Sequence, residues 1–170
     1  MKLIIGLGNP DERYKNNRHN VGQRFVREVS TKYKVQSTKL AKVKLLETDC
    51  FMNESGKFVK KTVQKHWPNL TNWANLTNLY IAHDDLDLPL GKFKVQFGVG
   101  PKVHYGINSI EEALGTKDFW RVRIGVDRRD PNHRIPGDAY VLQDFTREEM
   151  ETLEKVFPKI WEELQIKFEI

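Results

Sequence analysis

A chain of 170 residues is long enough to close one hydrophobic core and short for two. With 39% apolar and 30% charged residues it has the make-up of an ordinary globular domain, which excludes wholesale disorder. A formal net charge of +5 leans towards polyanionic partners without demanding one, and the single Cys50 excludes a disulfide framework or a multi-thiolate zinc site. The apolar stretch in MKLIIGLGNP is too short for a signal peptide, and no run approaches the ~18 apolar residues of a membrane span. The expectation is a cytoplasmic protein with one domain over residues 1–170.

Leu3, Ile4 and Ile5 run into Gly6 and Gly8, a buried first strand followed by a tight loop. Val21, Phe25, Val26, Val29 and Tyr33 recur at helical spacing from Asn20, with Asn20 and Gln23 placed as a capping pair. Residues 42–47 read as a second strand. Residues 53 to about 65 read as a second helix that Trp67-Pro68 breaks, with Asn53 as its cap. Leu79 to Ala82 is a third buried strand. Phe93, Val95 and Phe97 alternate with polar residues as in a half-exposed strand. Residues 107–114 form a short helix stopped by Gly115. Val122, Ile124 and Val126 alternate with Arg121 and Arg123 in a further strand. The polar stretch 127–137 reads as a surface loop. Thr146 and Glu149 form a capping box for a last helix kinked at Pro158. Strands alternating with helices predict an α/β fold, a single globular domain with a mixed, mostly parallel sheet flanked by helices.

Several segments carry possible chemistry. Gly6-Leu7-Gly8 follows a strand as a dinucleotide loop does. The fingerprint's third glycine is Asp11, however, and Pro10 breaks the required geometry. Arg18-His19-Asn20 places a histidine in a polar loop before a helix, where the helix terminus favours the neutral imidazole that a general base needs. The plainer reading of His19 is a cap or surface residue. His83-Asp84-Asp85-Leu86-Asp87 follows the third strand and offers either a carboxylate to orient His19 or a hard-cation cluster, although no second cluster completes a metal shell. Asn53, in Phe51-Met52-Asn53-Glu54, is a cap or an amide aimed at a developing oxyanion. No G-x-S-x-G elbow or papain-like cysteine signature is present, which leaves attack by activated water.

Taken together, KLIIGLGNP at 2–10, Tyr14, RHNVG at 18–22, FMNESGK at 51–57, AHDDLDLPLG at 82–91 and FWRVRIGV at 119–126 resemble the bacterial-type peptidyl-tRNA hydrolase family. The resemblance implies hydrolysis of the ester between a peptide and the 3′ end of tRNA, without cofactor or metal, by a monomer that needs no protein partner or membrane. It assigns His19 as general base and Asp84 as the residue that orients it. Asn9 and Asn53 become the amides that hold the carbonyl and the attacking water. Tyr14, Phe51, Met52, His104 and Tyr105 become the substrate cleft, and Lys94 and Arg123 contacts to tRNA phosphates.

The match breaks at 98–106, where Pro101, Lys102 and Val103 stiffen a loop that is glycine-rich in the family. Tyr105 stands in place of the family's asparagine. Asp11 replaces a glycine and Gln96 a lysine. The segment 34–42 lacks room for an extra strand pair, and the chain stops soon after the last helix. The competing expectation is therefore a non-catalytic RNA-binding relative with an altered 98–106 loop.

Overall fold

The computed structural model describes residues 1–33, 42–71, 73 and 76–169. The expected shortening at 34–42 falls almost wholly outside them. Five strands form one sheet: β1 (Lys2–Gly6), β2 (Val43–Glu47), β3 (Leu76–Pro89), β4 (Phe93–Phe97) and β5 (Phe119–Asp127). Their order is β2-β1-β3-β5-β4, parallel except for β4, which runs antiparallel to β5 at the edge. The helices are α1 (Val21–Tyr33), α2 (Ser55–His66), α3 (Tyr105–Leu114), α4 (Gly137–Val141) and α5 (Arg147–Phe168).

The two-residue alternation of strand side chains divides the core in two. Ile4, Tyr80, Ala82, Val122 and Ile124 pack on one face with Phe25 of α1 and Phe157 and Trp161 of α5. Leu3, Ile5, Leu79 and Ile81 pack on the other with Val59 and Val63 of α2 and Ile107 and Ile110 of α3. The capping box of Thr146 and Glu149 is formed, and α5 continues through Pro158. Gly115 ends α3 in the left-handed conformation at φ 69°.

Three local expectations need correcting. The Gln23 N–H donates to the Leu7 carbonyl, so Asn20 does not cap α1. Asn53 lies in a 3-10 turn over Met52–Glu54 and makes no side-chain cap for α2. The stretch His83 to Asp87 does not follow the third strand but belongs to it.

Two glycines fix how closely α1 approaches the sheet. A Cβ on Gly22 would lie 2.1 Å from the Ala82 carbonyl oxygen, and one on Gly6 would lie 2.3 Å from the Gly22 oxygen. The obstructing atoms are backbone, so no rotamer change relieves them. Gly22→Ala must lift α1 from β3, and we expect a loss of about 3 kcal/mol. Urea unfolding should show it as a lower midpoint with an unchanged slope. The same approach brings the residues just before α1 against the part of β3 beyond Ala82.

Candidate active site

His19 sits in a 3-10 turn over Arg18–Asn20 and is 8% exposed. Its Nδ1 lies 2.8 Å from Asp84 Oδ1. The same carboxylate oxygen lies 2.8 Å from His104 Nε2. His104 caps α3, and its Nδ1 accepts the Ile107 N–H at 3.2 Å. That nitrogen therefore carries a lone pair, the proton resides on Nε2, and His104 is a donor to Asp84. A donor from His19 Nδ1 to the same oxygen leaves the His19 Nε2 lone pair for chemistry.

Burial opposes ionisation of Asp84, but the charges and hydrogen bonds of His19 and His104 outweigh it and hold its pKa well below the carboxylate range. Burial also opposes the charged form of His19, yet the Asp84 charge and hydrogen bond prevail and raise its pKa above 6.5. The expectation that the helix terminus would lower this pKa is thus reversed, because a carboxylate in direct contact dominates a partial dipole. Ligand-type atoms of His19, Asp84 and His104 all lie within 4.8 Å of one another, a spacing that would also suit a metal. The two contacts that define the cluster are hydrogen bonds.

Asn9 follows β1 and is 8% exposed. Its Oδ1 accepts the Met52 N–H at 2.8 Å, which turns the amide so that Nδ2 is its free end among the described residues. Asn20 clasps the Asn9 backbone from both sides, accepting its N–H at 3.0 Å and donating to its carbonyl at 2.9 Å. Asn20 was legible only as a cap, and its positioning role depends on a partner eleven residues away. Gln23 extends the clasp by donating to the Gly8 and Thr48 carbonyls.

Two adjoining hollows meet at His19. The larger, 570 Å³, is lined by Asn9, His19, Phe51, Met52, Asn53 and Glu54, with Tyr105, Asp138, Val141 and Leu142 opposite. The smaller, 280 Å³, reaches Asp84, Leu86, Val103 and His104. Phe51 and Tyr105 are 46% and 61% exposed and present aromatic faces at the opening. Helix α4 starts at Gly137, where the stretch read as loop ends, and had no reading of its own. It is held over the site by Arg18, which forms a buried two-pronged pair with Glu149 at 3.0 and 2.8 Å and lies 4.1 Å from the Tyr140 ring centre. A separate 420 Å³ hollow beside His66, Trp67 and Leu76 lies at the amino end of β3, remote from these groups.

Other assigned residues fall differently. His104 is 6% exposed and belongs to the hydrogen-bonded cluster more than to a substrate surface. Arg123 is 7% exposed, pairing through Nε with Asp85 at 2.6 Å and through Nη1 with Gln96 at 2.6 Å, so it is a buried strut and not a free cation. Lys94 is exposed on β4. Tyr14 is half-buried, with Arg13 stacked 4.7 Å from its ring centre, and does not line the two hollows. The aspartates are dispersed: Asp84 bonds histidines, Asp85 bonds Arg123, and Asp87 accepts the Lys102 N–H. Cys50 is a poor nucleophile, its thiol pushed up to about 11 by burial and then by Asp49 and Glu54.

His83 is fully buried. Its Nδ1 donates to the Asp84 carbonyl at 2.6 Å, and its Nε2 has no partner among the described residues. Burial, then neighbouring His104, push its pKa down to about 3. The unfolded chain takes up a proton near pH 6.5 that the folded His83 refuses. Stability should therefore fall as pH drops from 6.5 towards 3, by at most about 1.4 kcal/mol per unit. The His19 contribution, which comes from a raised pKa, grows as pH falls towards 6.5 and is fully present below it, so it does not account for a loss on the acid side. Urea unfolding at about pH 7 and about pH 5 should show a smaller loss in His83→Gln than in the wild type.

A profile of the peptidyl-tRNA hydrolase family matches residues 3–169. The peptidyl-tRNA hydrolase of Lawsonia intracellularis is 35% identical over 181 residues, covering 95% of this chain and 84% of that protein. That of Pseudothermotoga lettingae is 36% identical over 175 residues, covering 98% and 89%. Among solved structures, a peptidyl-tRNA hydrolase in complex with n-propanol gives a TM-score of 0.74 at 26% identity, over 93% of this chain and 83% of that one. The Acinetobacter baumannii peptidyl-tRNA hydrolase gives 0.73 at 26% identity, with the same coverage. Agreement in sequence and in three dimensions along almost the whole length leads to one assignment: the chain belongs to the peptidyl-tRNA hydrolase family.

Proposed function

We propose that the chain hydrolyses the ester joining a peptide to the 3′ end of tRNA, using water activated by His19. The observation that carries this mechanism is the convergence of His19 Nδ1 and His104 Nε2 on Asp84 Oδ1, each at 2.8 Å, beside Asn9 in one cleft. His19 Nε2 takes a proton from water as the oxygen attacks the ester carbonyl. Asp84 stabilises the imidazolium that forms. The tetrahedral oxyanion gains donors from Asn9 Nδ2 and from Asn53, whose side chain is exposed at the cleft. When the intermediate collapses, the imidazolium returns its proton to the departing ribose oxygen, and His19 is neutral again.

Phe51 and Tyr105 supply faces for planar or apolar parts of the substrate, and Met52, through its backbone, holds Asn9. On this proposal Tyr14 contacts the substrate from outside the two hollows, and Lys94, exposed on the edge strand, contacts a tRNA phosphate. In this reading the protein works in the cytoplasm as a monomer without a protein partner. Among the described residues no helix is long and apolar enough to cross a membrane.

The test is peptide release from purified peptidyl-tRNA, followed with and without chelator. Release should proceed equally in both, and kcat/KM should climb with pH through a single ionisation above 6.5, where His19 loses its proton. RNA binding with no peptide release at any pH would establish the non-catalytic alternative.

A further inference from the structure

The positive charge expected at Arg123 is consumed by Asp85, and position 96 carries a glutamine that binds the same guanidinium. A polyanionic substrate must find its cations elsewhere. Helix α2, SGKFVKKTVQKH, contains four lysines and no acid. Lys57, Lys60, Lys61 and Lys65 are all exposed, and none meets a carboxylate among the described residues. At helical spacing they share one arc, opposite the buried Val59, Thr62 and Val63.

The longest helix shows the contrast. α5 carries four cationic residues against six glutamates. Two of its cations are spent on neighbours, Arg147 on Glu151 and Lys167 on Glu163. Exposed Glu112 on α3, packed beside α2, and Glu54 before it are the nearby acids, and neither pairs with an α2 lysine.

The helix also begins at the right place. Phe51 to Glu54, immediately before α2, line the larger hollow. Lys57 lies one turn beyond Asn53, and Lys65 about 12 Å farther along the axis at 1.5 Å per residue. The stripe leads from the mouth of the cleft along the outside of the molecule.

We propose that Lys57, Lys60, Lys61 and Lys65 form a track for the RNA backbone, holding phosphates of the acceptor stem while the 3′ terminus occupies the cleft. This rests on the esterase reading above. The contacts are point charges without base readout, so the track binds stems of any sequence and is steeply salt-dependent.

Two double variants with equal charge change separate docking from general electrostatics: Lys57→Gln with Lys61→Gln on α2, and Lys155→Gln with Lys159→Gln on α5. Each is assayed on peptidyl-tRNA and on a short N-acylaminoacyl-adenosine ester that lacks a stem. The α2 pair should raise KM for peptidyl-tRNA about tenfold with kcat nearly unchanged, and lower the slope of log affinity against log salt by about 1.4 to 1.8. Its rate on the short ester, and both rates of the α5 pair, should match the wild type. Equal behaviour of the two pairs, whether unchanged or equally weakened, would overturn the track. If the wild type turned over neither substrate, the esterase reading would fall, and the salt slopes for uncharged-terminus tRNA would still decide whether α2 binds RNA.

Discussion

Replacing His19 with alanine should lower kcat on peptidyl-tRNA roughly 10³- to 10⁴-fold while KM stays close to that of the wild type. Among the described residues that line the cleft, the ring offers a free nitrogen for chemistry while its other nitrogen is held by a carboxylate. The proposed binding surfaces at Phe51, Tyr105 and α2 are untouched, so ground-state affinity should survive. The residual rate comes from the amides, which stabilise the oxyanion without a base. Alanine also leaves Asp84 with one donor fewer in a buried site, and part of its effect could then be instability. His19→Asn removes that ambiguity. An asparagine Nδ2–H falls near the imidazole Nδ1–H and can still donate to Asp84 Oδ1, while Nε2 is gone. Both variants should be equally inactive, with His19→Asn the more stable by urea unfolding. A kcat for His19→Asn within tenfold of the wild type would sink the general-base role.

The fold was legible wherever the signal is local. The Thr146–Glu149 capping box, Gly115 after α3 and the alternation in β4 are complete within a few residues, and each forms as read. What the chain conceals depends on distant partners. The run His83 to Asp87 looks like loop because buried strands seldom carry such charge. It remains strand because its two buried carboxylates find distant complements: Asp84 meets a histidine 65 residues away, and Asp85 an arginine 38 residues away. Arg18 and Arg123 mislead for the same reason. An arginine suggests surface until a carboxylate satisfies it inside, as Glu149 and Asp85 do here. Glu149 shows how one residue hides a second task, accepting the Thr146 N–H of its own helix while anchoring Arg18. The five residues of α4 are too few to display a period, so the wall they give the cleft had no readable sign.

Asp84→Asn should cost about 10³- to 10⁴-fold at pH 8, comparable to loss of the base itself, and should also change the shape of the pH profile. In the wild type two influences act on His19: burial lowers its pKa, and the Asp84 charge and hydrogen bond raise it and prevail. Asparagine removes the charge and leaves the burial. The acid limb of kcat/KM should therefore move from above 6.5 to below it. The deficit is then largest at high pH and narrows on the acid side, where the wild-type imidazole is already protonated and idle. The absolute loss has a separate origin. His104 is fixed as an Nε2–H donor by the Ile107 N–H on its other nitrogen, so it continues to claim the side-chain oxygen at position 84. A neutral amide accepts two donors less strongly than a carboxylate, and one that turned its Nδ2 towards His19 would impose the opposite tautomer, with the proton on Nε2 and no lone pair for water. The measurement is a pH series of kcat/KM for both proteins, with circular dichroism to show that the variant is folded. An acid limb that stayed in place or moved upward in the folded variant would mean that Asp84 does not set the basicity of His19.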